Sequence, residues 1–272
     1  MKPFVHWAGG KRQLLPKLKA RMPASYGTYY EPFIGCGALF LDIQPAHAVI
    51  SDINEQLINV YQQLKTNAES VIRAVSDLNA VPCDADRYKA MRDEYNCKIL
   101  KHELDADCAA LMIYVIKYCY NGAYRVNSKG LFSNTFNYGK PGTNIDEINL
   151  MFIGRYLQSK DIVIRQGDFE AACCDAKPGD FIYFDPPYVP IGKTANSKDY
   201  TKDGFSIADH ERLAKLFKKL SDQGVQCMLS NRNSPFVHEL YSEFNIQIID
   251  VKRCIHPDPS KRTDKEVIIT NY

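Results

Sequence analysis

The chain has 272 residues, of which 45% are hydrophobic and 24% charged, and a formal net charge of +2. This length and composition indicate one large α/β domain with an insertion rather than two equal domains. No apolar run approaches the roughly 20 residues that span a bilayer, and no signal-peptide pattern opens the chain, so we expect a cytoplasmic protein without a membrane partner.

Alternating patterns on both sides of a long central stretch predict the main elements. Runs rich in β-branched and aromatic residues predict strands at 28–34, 48–51, 162–165, 181–184, 225–229, 246–251 and 267–270. Helices are predicted at 55–65, 207–220 and 235–243, and the second has a capping signal at Ser206 and Asp209 and a stop at Gly224. Such alternation predicts a mostly parallel sheet with helices on its faces.

The stretch 66–159 interrupts this alternation, because it is helical with one predicted hairpin at 124–138 that turns near 128–130. We therefore expect an inserted domain at 66–159. The window from Cys108 to Ile145 has no acidic residue and mixes basic with aromatic side chains. That mixture suits a nucleic-acid surface, although composition alone favours a buried helix followed by a hairpin with a solvated face.

The nine cysteines contain no C-x-x-C pair, which argues against a zinc ribbon or a redox dithiol. We expect them to be reduced core residues, and we expect no metal site.

Two strand ends in the first part of the chain suggest a cofactor site. The first strand runs into EPFIGCG at 31–37, whose glycines let the backbone approach a ligand closely. The second ends at Asp52, and a carboxylate there can accept both hydroxyls of a ribose. Each motif alone is more often a plain turn, or a helix N-cap for Asp52. Together they suggest a nucleoside-containing cofactor, but not a dinucleotide, because the G-x-G-x-x-G spacing is absent.

The fourth strand ends in DPPY at 185–188. Two prolines cannot continue the ladder, so Asp185 and the Pro186 carbonyl point out of the sheet as hydrogen-bond acceptors. Tyr188 adds a flat ring beside them. Acceptors with a stacking face suit an extruded base that carries an exocyclic amine. The alternative is a strand-terminating turn with a packing tyrosine, and the two upstream motifs favour the pocket.

These motifs, in this order, resemble the Dam-type (D12 class) DNA adenine N6-methyltransferases that use S-adenosylmethionine. The resemblance spans almost the whole chain and is weakest at 66–107. The segments that carry it are 3–12, 31–40, 51–54, 119–125, 167–169, 185–188, 230–231 and 268–272. It implies a Rossmann-like methyltransferase sheet with helices on both faces, made of 1–65 and 160–272, plus an inserted helical and hairpin target-recognition domain at 66–159.

The activity implied by the resemblance is methyl transfer from S-adenosylmethionine to the N6 amine of a flipped-out adenine in double-stranded DNA, at GATC or a divergent short site. Alternatives are another exocyclic amine (RNA adenine, cytosine N4, guanine N2) or a catalytically silent DNA-binding relative. The biological role is restriction–modification, phage or regulatory, and the pattern specifies no oligomeric state. The catalytic residues implied are Asp185, Pro186, Pro187 and Tyr188.

The resemblance also implies the cofactor residues. Lys11 is expected near the methionine carboxylate, Asp52 at the ribose and Ile53 against the adenine face. The full implied set is Trp7, Lys11, Phe33, Gly35, Gly37, Asp52, Ile53, Asp168, Phe169 and Asp185.

At several positions implicated in DNA binding, this chain differs from the GATC-methylating members of the family that it resembles. His6 stands where GATC-methylating relatives often have lysine, Ala123 where they often have leucine, and Tyr138 near where they show a second arginine. The segment 254–262 is also unlike theirs. The residues expected to touch DNA are His6, Asn121, Arg125, Asn127, Lys129, Tyr138 and Lys140.

Overall fold

The computed structural model describes residues 1–7, 9–139, 143–189, 204–252 and 263–272. Within them one seven-stranded sheet forms in the order β3-β2-β1-β4-β5-β7-β6. Its strands are β1 (Tyr29–Glu31), β2 (His47–Asp52), β3 (Asp161–Gln166), β4 (Phe181–Phe184), β5 (Gln226–Arg232), β6 (Asn245–Lys252) and β7 (Thr263–Thr270). All neighbours are parallel except that β7 runs antiparallel to both β5 and β6.

The order of the strands creates a switch point between β1 and β4. The chain adds β2 and β3 on one side of β1, then returns to add β4 and β5 on the other. The connections leave the carboxyl ends of β1 and β4 in opposite directions, which opens a crevice at that edge. Ligands of open α/β sheets bind in such crevices, so the topology places a binding site where EPFIGCG and DPPY lie.

All seven predicted strands are present, and the differences lie at their ends. β1 stops at Glu31 rather than at 34, because Pro32 has no N–H for the ladder and the chain turns there. The last predicted helix ends at Leu240 instead of 243, because Phe244 N closes a turn on Tyr241 O at 3.0 Å. The capping box of Ser206 and Asp209 is confirmed.

Helices cover both faces of the sheet, as predicted. The remaining helices are α1 (Leu15–Lys19), α2 (Ala38–Ile43), α3 (Glu55–Thr66), α4 (Ala68–Asn79), α5 (Ala85–Leu100), α6 (Ala106–Tyr118), α7 (Glu147–Ser159), α8 (Phe169–Ala172), α9 (Ile207–Asp222) and α10 (Pro235–Leu240), with 3₁₀ turns at Lys11–Gln13 and Tyr120–Gly122. Tyr29 and Tyr183 point into the core with α3 and α6, whereas Tyr30 and Ile182 point into the core with α9. The strict alternation follows from the period of two in a strand.

The insertion packs around α6, whose side chains are buried on nearly every side. The hairpin that follows makes isolated antiparallel bridges, Val126 with Phe132 and Cys119 with Phe136. It turns at 127–130, where Gly130 N bonds Asn127 O at 2.9 Å, close to the predicted position. Asn96 on α5 clamps it by bonding both the N–H and the C=O of Phe132, at 2.9 and 3.0 Å.

The cysteines are free in the described part of the chain. Five of them are buried, but Cys97 and Cys174 are exposed, so the expectation that all are core residues is wrong for these two. Cys254 lies outside the described residues. None of the helices in the described ranges is long and apolar enough to cross a membrane.

Gly154 on α7 gives a test of the packing between α7 and the α3–α4 junction. A Cβ at this position would lie 2.8 Å from Ala68 Cβ and 3.0 Å from Leu64 O. Overpacking a well-packed core costs about 1–3 kcal/mol, so we expect Gly154→Val to lower the free energy of unfolding by about that amount in urea denaturation. Gln158→Val, at an exposed position of the same helix, is the control. Equal stability of the two variants would contradict this packing.

Candidate active site

A cavity of about 360 Å³ opens at the carboxyl ends of β1, β2 and β4. It brings together most of the residues that the sequence assigned to catalysis and cofactor binding. Those that line it are Trp7, Lys11, Phe33, Gly35, Asp52, Ile53, Asp185, Pro186, Pro187 and Tyr188. Lining residues outside that set include Glu31, Asn54, Tyr183 and Phe205.

Three of the expected cofactor residues do not line the cavity. Gly37 instead begins α2 with φ +65°, where a Cβ would lie 2.7 Å from the Tyr61 hydroxyl. Phe169 stacks behind Phe33, with ring centroids 5.4 Å apart. Asp168 caps α8 and forms an ion pair with Arg212 at 2.9 Å. They support the walls rather than form them.

Asp52 joins the two loops at one end of the cavity. Its Oδ2 accepts from Gly35 N at 3.0 Å and its Oδ1 from Asn54 N at 2.9 Å. Burial raises the pKa of this carboxyl, and the backbone donors oppose that rise. The N-cap of α3 is Asn54, which accepts from Leu57 N at 2.8 Å, so the N-cap interpretation of Asp52 is wrong.

Trp7 forms a flat wall between the EPFIGCG loop and the hairpin. On one side lies Gly35, with φ +47°, where a Cβ would come within 3.0 Å of the indole. On the other side the indole stacks on Tyr124 at 5.3 Å, with 23° between the rings. The loop glycine is required here both by its backbone angle and by the close approach of the ring.

Lys11 and Asp185 form a buried ion pair in the cavity. Lys11 Nζ lies 2.6 Å from Asp185 Oδ1 and also donates to Gly9 O at 2.9 Å. The ammonium sits 4.8 Å from the centroid of the Tyr188 ring, a cation–π distance. The resemblance implied that Lys11 lies near the methionine carboxylate of a cofactor, whereas in the structure its partner is the carboxylate of Asp185.

Asp185 has a second donor that the sequence analysis did not assign. Ser230 Oγ on β5 donates to Asp185 Oδ1 at 3.0 Å, and Tyr183 OH lies 2.8 Å from the same Ser230 oxygen. Burial raises the pKa of Asp185, while the charge and hydrogen bond of Lys11 and the hydrogen bond of Ser230 lower it. The only signal for Ser230 in the sequence was its place in the segment 230–231 of the resemblance.

Tyr188 is held as a flat face beside Asp185. Lys11 lies on its ring at 4.8 Å and the Arg232 guanidinium at 5.9 Å. Burial raises the pKa of the phenol, with further increases from Asp185 and Glu266, so it stays protonated. Two cations near one ring fix its orientation.

Glu31 is a buried carboxyl in the wall of the cavity, with 3% of its surface exposed. Tyr29 OH donates to its Oε2 at 2.6 Å. Burial raises the pKa of Glu31 to about 8, although the hydrogen bond from Tyr29 acts in the opposite direction. In the sequence Glu31 is only the first residue of EPFIGCG, and the periodicity of a strand does not reveal whether a carboxyl is enclosed.

The described residues that are expected to touch DNA lie on the hairpin, in the turn before it, or against that turn. His6 packs against Gly122, where a Cβ would meet the histidine Cβ at 3.1 Å. Asn121 is exposed with φ +56°, and its turn is held by Asn134, whose Nδ2 donates to Tyr120 O and Ala123 O at 2.9 and 2.8 Å.

The hairpin itself presents exposed side chains at Arg125, Lys129 and Tyr138, the last 81% exposed. Asn127 has a structural contact as well, since its Oδ1 accepts from Lys129 N and Leu131 N in the turn. Lys140 and the segment 254–262 lie outside the described residues. Across the described ranges, no three His, Cys, Asp or Glu side chains cluster as ligands for a metal ion.

Comparison with known proteins identifies relatives over the full length of the chain. The family model described as D12 class N6 adenine-specific DNA methyltransferase matches residues 7–255. The Type II methyltransferase M1.LlaDCHI of Lactococcus lactis subsp. cremoris is 40% identical over 100% of this chain and 96% of its own. The Type II methyltransferase M.MjaIII of Methanocaldococcus jannaschii is 38% identical, with 100% and 99% covered. A DNA adenine methylase of Serratia marcescens is 30% identical, with 99% and 97% covered.

The buried Glu31 predicts a specific pH dependence of stability. Between its ordinary pKa of 4.5 and the folded value of about 8, the unfolded chain releases a proton that the folded protein keeps. The free energy of unfolding should therefore fall as the pH rises through this window, by at most about 1.4 kcal/mol per pH unit. Glu31→Gln can still accept the hydrogen bond from Tyr29 but has no carboxyl to ionise, so its free energy of unfolding should not show this fall with pH.

Urea denaturation at pH values across the window measures the difference between Glu31→Gln and the wild type. The variant should gain stability relative to the wild type as the pH increases. Glu243→Gln, at an exposed position, controls for the loss of one charge. Parallel curves for Glu31→Gln and wild type would show that Glu31 ionises normally.

Proposed function

Because the chain belongs to the D12 class of N6 adenine-specific DNA methyltransferases, it transfers a methyl group from S-adenosylmethionine to N6 of adenine in DNA, and we propose that this adenine leaves the duplex and enters the cavity beside Asp185. The observation that carries the proposal is the convergence of Asp185, Pro186 and Tyr188 on one cavity wall. A paired and stacked adenine cannot enter an enclosed pocket with its amine between two acceptors, so the nucleotide has to leave the duplex first. The meeting of Lys11, Asp52 and Asp185 in the same cavity argues against a catalytically silent relative.

The chemistry of the cavity fits S-adenosylmethionine. Apolar side chains, Phe33 and Ile53, suit the adenine face, and each oxygen of Asp52 keeps a lone pair for a ribose hydroxyl after accepting its backbone N–H. We propose that Trp7, Lys11 and the Gly35 backbone hold the amino acid end. Gly37, Asp168 and Phe169 would then act through the side chains that they support. When bound, the cofactor supplies a methyl group on a positively charged sulfur, which is already an excellent leaving group.

The protein's task is then to prepare the amine and hold it in line. The N6 lone pair of adenine is delocalised into the ring, so the amine is a poor nucleophile. Asp185 and the Pro186 carbonyl would accept its two hydrogens and favour a pyramidal nitrogen, while Tyr188 stacks on the base. Pro186 and Pro187 lack N–H groups and keep donors away from the amine. The nitrogen would gain the methyl group, a neutral thioether would remain of the donor, and one N–H proton would leave the nitrogen for water.

We further propose that 1–65 and 160–272 carry the chemistry and that 66–159 reads double-stranded DNA. The hairpin would enter the major groove, with Arg125 contacting a guanine through two hydrogen bonds. His6, Asn121, Asn127, Lys129, Tyr138 and Lys140 would complete the DNA surface. Tyr138 cannot make the two-pronged contact of an arginine, so the site is GATC read differently or a divergent short sequence.

The substrate and the relatives indicate where the protein works and what its biological role is. DNA as the substrate supports a cytoplasmic location. The names of two relatives, both Type II methyltransferases, support a role in restriction–modification. No step of the proposed reaction requires a metal ion.

Asp185→Ala tests the proposed catalytic role. Removing the carboxylate leaves the buried Lys11 ammonium without its partner, so we expect a less stable protein. Methyl transfer to duplex DNA by the folded variant should fall on the order of a hundredfold or more. Transfer of a labelled methyl group, followed by nucleoside analysis, measures both the rate and the modified base. Asp222→Ala removes an exposed carboxylate at the end of α9 and should keep the wild-type rate. A near-normal rate for Asp185→Ala would reject the assignment.

Arg125→Ala tests the reading of the target. A bidentate contact to guanine discriminates against the other bases by about 1–3 kcal/mol. In a mixed-sequence DNA library the variant should therefore show a weaker preference for guanine at one position of the site. Mapping N6-methyladenine in the library measures this. Arg155→Ala, an exposed arginine on α7, should keep the wild-type preference. An unchanged preference for Arg125→Ala would mean that another residue reads that base, and wild-type modification confined to GATC would reject a divergent site.

A further inference from the structure

The two carboxylate oxygens of Asp185 have different surroundings. Oδ1 receives both donors, Lys11 Nζ at 2.6 Å and Ser230 Oγ at 3.0 Å. Among the described residues, the shortest contact of Lys11 and the hydrogen bond of Ser230 both fall on Oδ1 rather than Oδ2. Asp185 lines the cavity, and its side chain is 18% exposed. One oxygen is therefore fixed by the protein while the other keeps its lone pairs for a ligand.

The direction of the hydrogen bonds behind Oδ1 follows from counting protons. Ser230 has one hydroxyl hydrogen, and an ionised Asp185 can only accept, so that hydrogen points to Oδ1. The Ser230 oxygen must then accept from Tyr183 OH, 2.8 Å away. Burial, followed by the negative charge of Asp185, raises the pKa of Tyr183 well above its ordinary value, so the phenol keeps its proton. The chain of donors runs from Tyr183 to Ser230 to Asp185.

The sheet makes this chain rigid. Tyr183 is on β4 and Ser230 on β5, which are parallel neighbours, with Tyr183 paired to Met228. Tyr183 and Asp185 are two residues apart and so point to the same face. Both donors are buried, with 1% of Tyr183 and 0% of Ser230 exposed. Two strands thus fix the donor side of the carboxylate.

We propose that Ser230 and Tyr183 are positioning residues that hold Asp185 by Oδ1 and leave Oδ2 to accept a hydrogen of the target amine. The inference rests on the proposed role of Asp185 in methyl transfer. Its physical reason is the Lys11 ammonium, which has three donor hydrogens and would otherwise draw both carboxylate oxygens toward itself. Ser230 adds a second, directional bond on Oδ1 and so opposes rotation of the carboxylate about its soft terminal torsion.

Ser230→Ala tests the role of Ser230 by steady-state kinetics across pH. Ser230 is proposed to align Asp185 in the transition state, so its loss should lower kcat and kcat/KM together. We expect a fall of about tenfold, because hydrogen bonds to charged groups are stronger than those between neutral groups. The acidic limb of the pH profile should move to higher pH, because the variant loses a donor that favours the charged carboxylate. The other ionisable groups that face Asp185 are Lys11, Glu31, Cys36, Tyr183 and Tyr188.

Tyr183→Phe removes only the outer hydroxyl and should change both quantities in the same direction but less. Combined with Ser230→Ala it should add little, because the two act in series. Ser230→Thr keeps the hydroxyl and should restore much of the rate. Tyr241→Phe makes the same change in the core on the opposite face of the sheet and should leave the wild-type pH profile. Thermal unfolding establishes that each variant is folded, and Tyr183→Phe carries the test if Ser230→Ala is not.

A second measurement uses the free protein and needs no turnover. Titration of ¹³C-labelled aspartate carboxyls by NMR, with Asp185→Asn to assign the signal, should show a higher pKa for Asp185 in Ser230→Ala than in the wild type. An unchanged pKa, or wild-type kcat and pH limb in both Ser230→Ala and Tyr183→Phe, would overturn the inference. A wild-type enzyme that transfers no methyl group to DNA would instead contradict the proposed function, and the NMR result would still decide how Asp185 is held.

Discussion

The buried ion pair between Lys11 and Asp185 is the interaction on which the site depends. Removing two charges from water is costly, and a buried pair persists only where further hydrogen bonds complete it. Here Gly9 O accepts from the ammonium, Ser230 donates to the carboxylate, and the Tyr188 ring lies against the cation. The pair therefore ties the 3₁₀ turn at Lys11–Gln13 to the ends of β4 and β5, and it keeps a carboxylate ionised in a place where burial favours the acid.

The remaining walls of the cavity are loops that are held in place by contacts with one another. Asp52 joins the end of β2 to the Gly35 loop after β1. Trp7 then lies between that loop and Tyr124, so the cavity and the hairpin share one aromatic wall. A change in the position of Arg125, next to Tyr124, is therefore coupled by direct packing to the cavity. The strand order places all of these loops at the switch point between β1 and β4.

Much of the fold could be predicted from the sequence because buried strands and capped helices have local signatures. The apolar pattern alone predicts the strands at 181–184 and 225–229, and the two prolines of DPPY predict where the first of them ends. The contacts of Ser230 and Tyr183 could not be predicted, because they depend on the register between β4 and β5. Glu31 was missed for a similar reason, since enclosure of a carboxyl is a property of tertiary packing. Gly37, Asp168 and Phe169 lie outside the cavity lining for the same reason, because the neighbours of each residue are set by the tertiary structure.

A crystal structure of the protein with S-adenosylhomocysteine and a duplex containing its target adenine tests the central claim most directly. We expect the adenine to lie outside the helix on Tyr188, with its amine about 3 Å from Asp185 Oδ2 and from the Pro186 carbonyl. Lys11 and Ser230 should remain on Oδ1. An adenine that stays stacked in the duplex, or an amine whose partners are groups other than Asp185 and Pro186, would show that Asp185 does not prepare an extruded base.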